Sequence, residues 1–357
     1  MRKSIAIAAW LLLVCSSQAL LAQGKPCNRA CLEGYVEKYL DAAIAHDPSL
    51  LPLAKNVKFT ENGQRLVLPD AHWKIMTGKG KYRLFVTDVE AGQVACFATI
   101  REEWRTPEGR GAVIALRLKV ENQQITEIES IVVRPQTPMG PPGGNTAAPS
   151  FPSAAESLEK LGTPHPVYLQ AVPPAERMSR KDLIRVANMY FAGLEKNDGK
   201  GEYPFTDDCD RLEGGMQTTN APLRPGQTRP DPKTATMYSA NWGCKEQFES
   251  GLIHFVWRIR DRRFVAVDRE RGLVFAFGFF DHALGKDRTF KTPDGRTITA
   301  GPMEPNGWEI AELFKIEKGM IRRIEAHMVP PPYGMNSGWS SWEDGLSSVP
   351  RDVTGYK

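Results

Sequence analysis

Beyond its N-terminal segment the sequence has no apolar run long enough to cross a bilayer as a helix. It also lacks a glycine-rich phosphate loop, a dinucleotide fingerprint and a nucleophile elbow, which removes the usual signatures of nucleotide-dependent and serine-hydrolase chemistry. Histidine is scarce, with six in 357 residues. No two of them stand as HxH or HxxxH, so no metal site is expected. The formal charge of +4 falls to about +2 without Arg2 and Lys3. That is too little to draw the protein to nucleic acid or to an anionic membrane surface.

What is present begins with Arg2 and Lys3, the apolar run IAIAAWLLLV, and small or polar residues up to LLAQG. This is the layout of a secretory signal peptide over residues 1–22, so the protein is expected to be exported, periplasmic or secreted. Val14 before Cys15 argues against a lipid-modified cysteine there. Of the six cysteines, Cys209 and Cys244 lie in a polar, loop-rich region and are expected to pair in an oxidising compartment. Cys27 and Cys31 either pair with each other or stay free, because a four-residue spacing within a regular helix is awkward for a bridge. CNRAC has no second Cys or His pair to complete a metal site, and Cys96, in VACFA, reads as a buried thiol.

With 41% hydrophobic and 25% charged residues the chain can fill two cores, and an internal repeat shows how they divide. YRLFVTDVEAGQVACF, residues 82–97, aligns without a gap on RRFVAVDRERGLVFAF, residues 262–277. Asp88 lies over Asp268, Glu90 over Glu270, Gly92 over Gly272 and Phe97 over Phe277. Each copy is an apolar run, a polar turn with one glycine, and a second apolar run, which is a β-hairpin. The acidic residues at the turn could open a calcium loop, but neither copy supplies the further oxygen ligands. An exposed turn is the expectation for Asp268 and Glu270.

The alignment extends both ways. LEGYVEKYLDAAIAHD from Leu32 matches LIRVANMYFAGLEKND from Leu183, with apolar residues at helical spacing and Tyr39 over Tyr190. VKFTENGQ lies over CDRLEGGM, placing Glu61 over Glu213. LKVENQQITEIESIVV from Leu118 lies over FKIEKGMIRRIEAHMV from Phe314. The second copy carries two insertions, one with Cys244 and one spanning KDRTFKTPDGRTITAGPMEPN. Residues 27–134 and 178–330 are therefore expected to form two α+β domains, each a long N-terminal helix on an antiparallel sheet. They are joined by a Pro/Gly-rich linker over 135–177 and followed by a tail over 331–357. LVFAFGFF is apolar on both faces, so one face should meet the helix and the other the first copy, an intramolecular pseudo-dimer.

The opening helix ending in YLDAAIAHD, the segment PSLLPLAKN, the strand VKFTENG and the closing LRLKVENQQITEIESIVVRP resemble the nuclear transport factor 2-like, or SnoaL-like, superfamily. This superfamily includes ketosteroid isomerases, scytalone dehydratases, limonene epoxide hydrolases and polyketide cyclases. DDCDRLEGG, RRFVAVDRERGLV, WEIAELFKIEKG and PPYGMNSGW are also similar to exported two-copy proteins without assigned function. The resemblance implies tandem cystatin-like cone domains and, from the isomerases, a site made of a helix tyrosine, a strand-end carboxylate and a later strand acid. By position these fall on Tyr39 or Tyr190, on Glu61 or Glu213, and on Leu116 in the first copy but Glu312 in the second.

The second copy is therefore the expected site. Trp308, Ile310, Glu312 and Phe314 alternate along one strand and should share a face. Glu312 then either sits in a pocket or points outward to Arg322 or Arg323. Phe277, Trp308, Ile310 and Phe314 are the candidate ligand-binding residues, and His327, which replaces Ile131, is a candidate general base beside His254 and His282. Tyr333, Trp339 and Trp342 of the tail either close a pocket mouth or cap the domain. The expected function is a cofactor-independent isomerase, lyase or hydratase acting on a small hydrophobic keto or hydroxy compound, with Glu213, Tyr190 and Glu312 as its acid–base groups. The alternative is a binding module without chemistry, for a hydrophobic ligand or a protein partner.

Overall fold

A computed structural model describes residues 27–104, 106–135, 152–282, 285, 288–301 and 304–354. The expected signal peptide, Cys15 and residues 136–151 of the Pro/Gly-rich stretch lie outside the described residues. The first half consists of α1 (Arg29–Ile44), β1 (Leu53–Glu61), β2 (Gln64–Leu66), β3 (Met76–Asp88), β4 (Gln93–Trp104), β5 (Thr106–Glu121) and β6 (Gln124–Val133). After α2 (Ala154–Leu161), the second half has α3 (Arg180–Lys196), β7 (Phe205–Glu213), β8 (Met216–Gln217), α4 (Cys244–Glu249), β9 (Val256–Asp268) and β10 (Leu273–His282). It continues with the hairpin β11 (Arg288–Lys291) and β12 (Thr297–Ala300), then β13 (Gly307–Glu317), β14 (Met320–Val329), α5 (Trp342–Leu346) and β15 (Arg351–Asp352). The architecture is α+β, with one mixed sheet in each half.

Local chemistry sets the helix starts. The Asn28 side chain accepts from the Cys31 amide at the start of α1, and Ser179 accepts from Asp182 at the start of α3. Leu32, Val36, Tyr39, Leu40 and Ala43 bury one face of α1, and Leu183, Val186, Ala187, Tyr190, Phe191 and Leu194 bury the matching face of α3. Both cysteine pairs are bridged, Cys27 to Cys31 and Cys209 to Cys244. Cys27 precedes the first helical residue, so its bridge does not have to fit within regular helix. Cys96 is a buried free thiol. No helix among the described residues is long and apolar enough to cross a membrane.

The strand orders are β2-β1-β6-β5-β4-β3 and β15-β9-β10-β13-β14-β7-β8. Wholly antiparallel sheets were expected from the hairpins. Each sheet instead has a parallel pair at the same place, β1 on β6 and β7 on β14. The two strands of each pair are far apart in sequence and not joined to each other by a tight turn, so nothing forces them antiparallel. The expected linker is also partly folded: α2 starts with a capping box between Ser153 and Glu156 and buries Ala155 and Leu158 against the first sheet.

Each sheet has two buried faces. One meets its helix, and the other meets the opposite sheet in a shared apolar layer that includes Phe97, Ala115 and Ile131 from the first half and Phe275, Phe277 and Leu313 from the second. Phe97 packs on Phe275 with ring centroids 4.9 Å apart. At the rim, Arg180 donates to both oxygens of Asp88 at 2.6 Å, and Arg29 donates to Asp268 at 2.7 and 3.0 Å and to Glu270 at 2.7 Å. Arg29 and Arg180 are equivalent residues of the repeat, as are Asp88 and Asp268, so the two pairs are reciprocal. This corrects the reading of Asp268 as exposed. Residues 269–272 do form the turn, and Gly272 supplies its positive φ of 62°, but Asp268 is buried because it faces the other half.

Arg180→Met should leave Asp88 buried without its cation and lower stability by about 3 kcal/mol, whereas Glu270→Gln, at an exposed partner, should cost under about 1 kcal/mol. Denaturant unfolding of both variants checks this, and equal small losses would mean that the reciprocal pairs do not hold the halves together.

Candidate functional site

Alternation along β7 puts Cys209, Arg211 and Glu213 on one face, toward α3. Across the sheet Glu213 aligns with Ala326 of β14, and Ala326 aligns with Glu312 of β13. Two carboxyls therefore flank one small residue under α3, where Tyr190 projects. Arg211 is fully engaged: Nη1 donates to the Tyr190 hydroxyl at 3.3 Å, Nη2 to Gln247 Oε1 at 2.8 Å and Nε to Thr218 Oγ1 at 3.0 Å. Its Nε also lies 3.2 Å from the Glu213 carboxylate.

Glu312 is fully buried beside the Tyr190 hydroxyl, yet neither of its oxygens meets a partner in full hydrogen-bond geometry. Burial, and next the nearby Glu213 charge, push its carboxyl up to about 8 against the opposing pull of Arg211. It is therefore neutral at neutral pH and able to donate. Burial raises the Tyr190 phenol well above its ordinary value as well. Glu312 faces inward rather than toward Arg322 and Arg323, which pair with Asp208 and Asp210.

Tyr190, Arg211 and Glu213 line a cavity of about 30 Å³ whose other walls include Tyr238, Phe255 and Trp308. That is room for roughly one or two waters. A surface cleft of about 450 Å³ beside Arg101, Arg110 and Glu156 is larger, but its ionic groups are exposed or half-buried.

Of the candidate ligand-binding residues, Trp308 reaches this cavity. Ile310 and Phe314 lie in the core on the same face of β13, with Phe314 packed edge-on against Tyr190 at 5.3 Å between ring centroids. Phe277 does not belong to the site. It pairs with Ala311, whose side of the sheet faces the first half, and it lies in the layer between the sheets. His327 is excluded for the same reason: it also pairs with Ala311, so it points away from Glu312, packs on Phe97 at 4.6 Å and lies 3.2 Å from Glu325. His282 packs edge-on against Trp308, and His254 stacks on Phe290. Neither lines the cavity. Trp339 of the tail packs on the first half, donating to Thr60 Oγ1 at 2.8 Å.

The equivalent place in the first half is filled. Ala112, Ile114, Leu116 and Leu118 bury one face of β5 in the helix–sheet core. Tyr39 there accepts from Trp73 Nε1 at 2.9 Å and lies 3.0 Å from His72 Nε2. Nδ1 of His72 is 2.6 Å from Glu61, which also pairs with Arg134 at 2.9 Å. Burial pushes the Glu61 carboxyl up, but the His72 hydrogen bond and the His72 and Arg134 charges outweigh it and bring it down to about 2. Sequence reasoning missed His72, Arg211 and Gln247. For Arg211 a signal existed, since two residues before Glu213 on a strand means the same face.

A family profile described as "Domain of unknown function (DUF8021)" matches residues 25–132 and 176–328. The chain belongs to this family. No curated protein matches it. The two matched segments contain the two helix-and-sheet units, so the DUF8021 profile covers both copies of the repeat and stops before the tail that spans them. In this DUF8021 chain the second matched segment holds the buried neutral carboxyl and the first holds its apolar counterpart, Leu116.

The Glu312 proton has a thermodynamic consequence. An unfolded chain loses it near the ordinary value of 4.5, while the folded protein keeps it to about 8, so stability falls as pH rises through that window. Glu312→Gln cannot ionise and should gain on the parent protein by up to about 1.4 kcal/mol per pH unit between those limits. Glu309, also pushed up to about 8 by burial and by Glu129, has the same effect in both proteins, so the difference between them isolates Glu312. A difference that does not change with pH in denaturant titrations would mean that Glu312 is ionised when folded.

Proposed function

We propose that this protein is an exported acid–base enzyme, an isomerase, lyase or hydratase of a small keto or hydroxy compound, working in the second copy of a tandem nuclear transport factor 2-like, cone-type pseudo-dimer. One observation carries the reading: a buried carboxyl that stays neutral at pH 7 and has no partner in full hydrogen-bond geometry stands beside a tyrosine hydroxyl, and that tyrosine and a paired carboxylate line one small cavity. Glu213 takes the proton from a carbon next to the substrate carbonyl and returns it at product formation. The electron pair moves onto the substrate oxygen, which Tyr190 stabilises with Glu312 behind it. For an isomerase these proton transfers suffice; for a lyase the electron pair instead expels a β-hydroxyl, which leaves as water with the proton Glu213 took, and hydration is the reverse, so none of these steps needs a cofactor. Two disulfides and the apolar, basic-led segment of residues 1–22 support export.

The cavity volume restricts the substrate. A molecule larger than a few heavy atoms enters only when Tyr238, Phe255 or Trp308 moves aside. The same aromatic closure favours the second reading, a module that holds a hydrophobic ligand or a partner segment without turning it over.

Deuterium uptake at the α-carbon of a panel of small ketones, followed by proton NMR, tests the proposal. The parent protein should accelerate exchange, and Glu213→Gln should slow it by about a hundredfold or more while circular dichroism stays unchanged. Exchange unaffected in Glu213→Gln overturns the assignment. Retention of a panel compound without any exchange supports the binding reading.

A further inference from the structure

The side chain of Gln247 joins three separate parts of the second half. It stands on α4, wholly buried. Its Oε1 accepts from Arg211 Nη2 at 2.8 Å, while its Nε2 donates to the Thr218 carbonyl at 2.7 Å and to the Ser239 carbonyl at 2.8 Å. Thr218 opens the inserted loop between β8 and α4, and Ser239 lies near its close. Within the loop neck the Asn220 amide donates to Trp242 and the Ala221 amide to Ala240. Tyr238, the residue before Ser239, forms one wall of the cavity. The disulfide from Cys244, the first residue of α4, to Cys209, two residues before Arg211, fixes the helix to β7.

We propose that the inserted loop, residues 218–243, is the gate of the second-half cavity, and that Gln247 is a positioning residue that couples closure of this gate to the placement of Arg211 against Tyr190 and Glu213. A glutamine amide suits the task because it offers one acceptor to the guanidinium and two donors to the carbonyls of Thr218 and Ser239. When the loop lifts, both donors lose their partners, and the amide no longer holds Arg211 in place. Binding of a ligand behind Tyr238 and orientation of the cationic group then become one event. The first half has no such insertion, and His72 and Trp73, both bonded to Tyr39, fill the corresponding space. The coupling deepens the acid–base reading of the cavity and rests on it only for its purpose; the mechanical link holds for a binding module as well.

The test needs no substrate. Gln247→Met keeps the volume and removes the hydrogen bonds. Hydrogen exchange at the Asn220 and Ala221 amides should accelerate about tenfold or more. In the same variant the Glu312 carboxyl, followed by carbon NMR, should titrate at a higher pH, because Arg211 is the cation that opposes the effects of burial and of Glu213 on it. Tyr190 from α3 and Arg211 and Glu213 from β7 are the ionisable groups that act on Glu312, so a moved Arg211 is read directly. Faster exchange with an unmoved Glu312 titration makes Gln247 a merely structural clamp and overturns the proposal, as does no change in exchange. Should the methionine variant fail to fold, Gln247→Asn has an amide one methylene too short to reach all three partners. It should move both readings in the same directions by less, and movement of only one overturns the coupling. Absence of ketone exchange in the parent protein would instead sink the enzyme reading and leave this result untouched.

Discussion

Each of the two large sheets is buried on both faces, and one helix can cover only one of them. The contact of the two uncovered faces is the constraint on which the rest of the molecule depends. Phe97, Phe275 and Phe277 could not stay dry in either half alone, and the hydrophobic term that drives them together is non-directional. Direction comes from the rim. Arg29 reaches Asp268 of the opposite half and Arg180 reaches Asp88, and because the pairs are reciprocal they fix how one half is rotated on the other. A charge left unpaired there costs more than the pair contributes over a hydrophobic substitute, so the ions specify an arrangement more than they strengthen it.

A second set of buried charges extends this logic toward the tail. Glu129 of the first half accepts from Arg117 of its own sheet and from Arg263 of the other, and Glu325, its equivalent in the repeat, accepts from the Tyr82 hydroxyl. Asp261 accepts from Ser337 and Ser340 of the tail and pairs with Arg351. Trp339 lies with Lys58 at 4.0 Å and Arg117 at 4.5 Å from its ring, both residues of the first half. The tail therefore touches both halves, and its β15 joins the second sheet beside β9. It covers the ionic part of their contact, where Arg117, Glu129, Asp261 and Arg263 are all buried.

Against this nearly symmetric frame the two helix–sheet interiors have diverged. The same row across three strands reads Glu61, Ser130 and Leu116 in one half and Glu213, Ala326 and Glu312 in the other. In the first half Glu61 is satisfied by His72 and Arg134, and the side chains of the turn that supplies His72 close the space. In the second half Arg211 replaces Phe59, a disulfide-tethered helix supplies Gln247, and Glu312 is left without a full partner. An unsatisfied buried carboxyl is costly, and that cost sets the second interior apart from the first.

Much of the fold was legible in the sequence because it rests on local rules. Helical spacing of apolar residues gave α1 and α3, alternation gave the hairpins, and a glycine needed for positive φ marked the matching turns at Gly92 and Gly272. The repeat itself, and the pairing of Cys209 with Cys244, followed from the same reading. Alternation also put Trp308, Ile310, Glu312 and Phe314 on one face of β13, but it could not say which face His327 and Phe277 shared with them. A strand period of two assigns side chains to sides only within that strand, and cross-strand register is set by partners distant in sequence. The parallel placement of β1 and β7, the burial of Asp268, the plug of His72 and Trp73, and the hold of Gln247 on Arg211 all join residues through space and leave no local pattern. The sequence by itself determined the two long helices, the main hairpins, the duplication and the residue types available for chemistry, but not the short helices α2, α4 and α5. Only the tertiary structure decided which carboxyl is stripped of water, because desolvation depends on everything that surrounds a group and not on its neighbours along the chain.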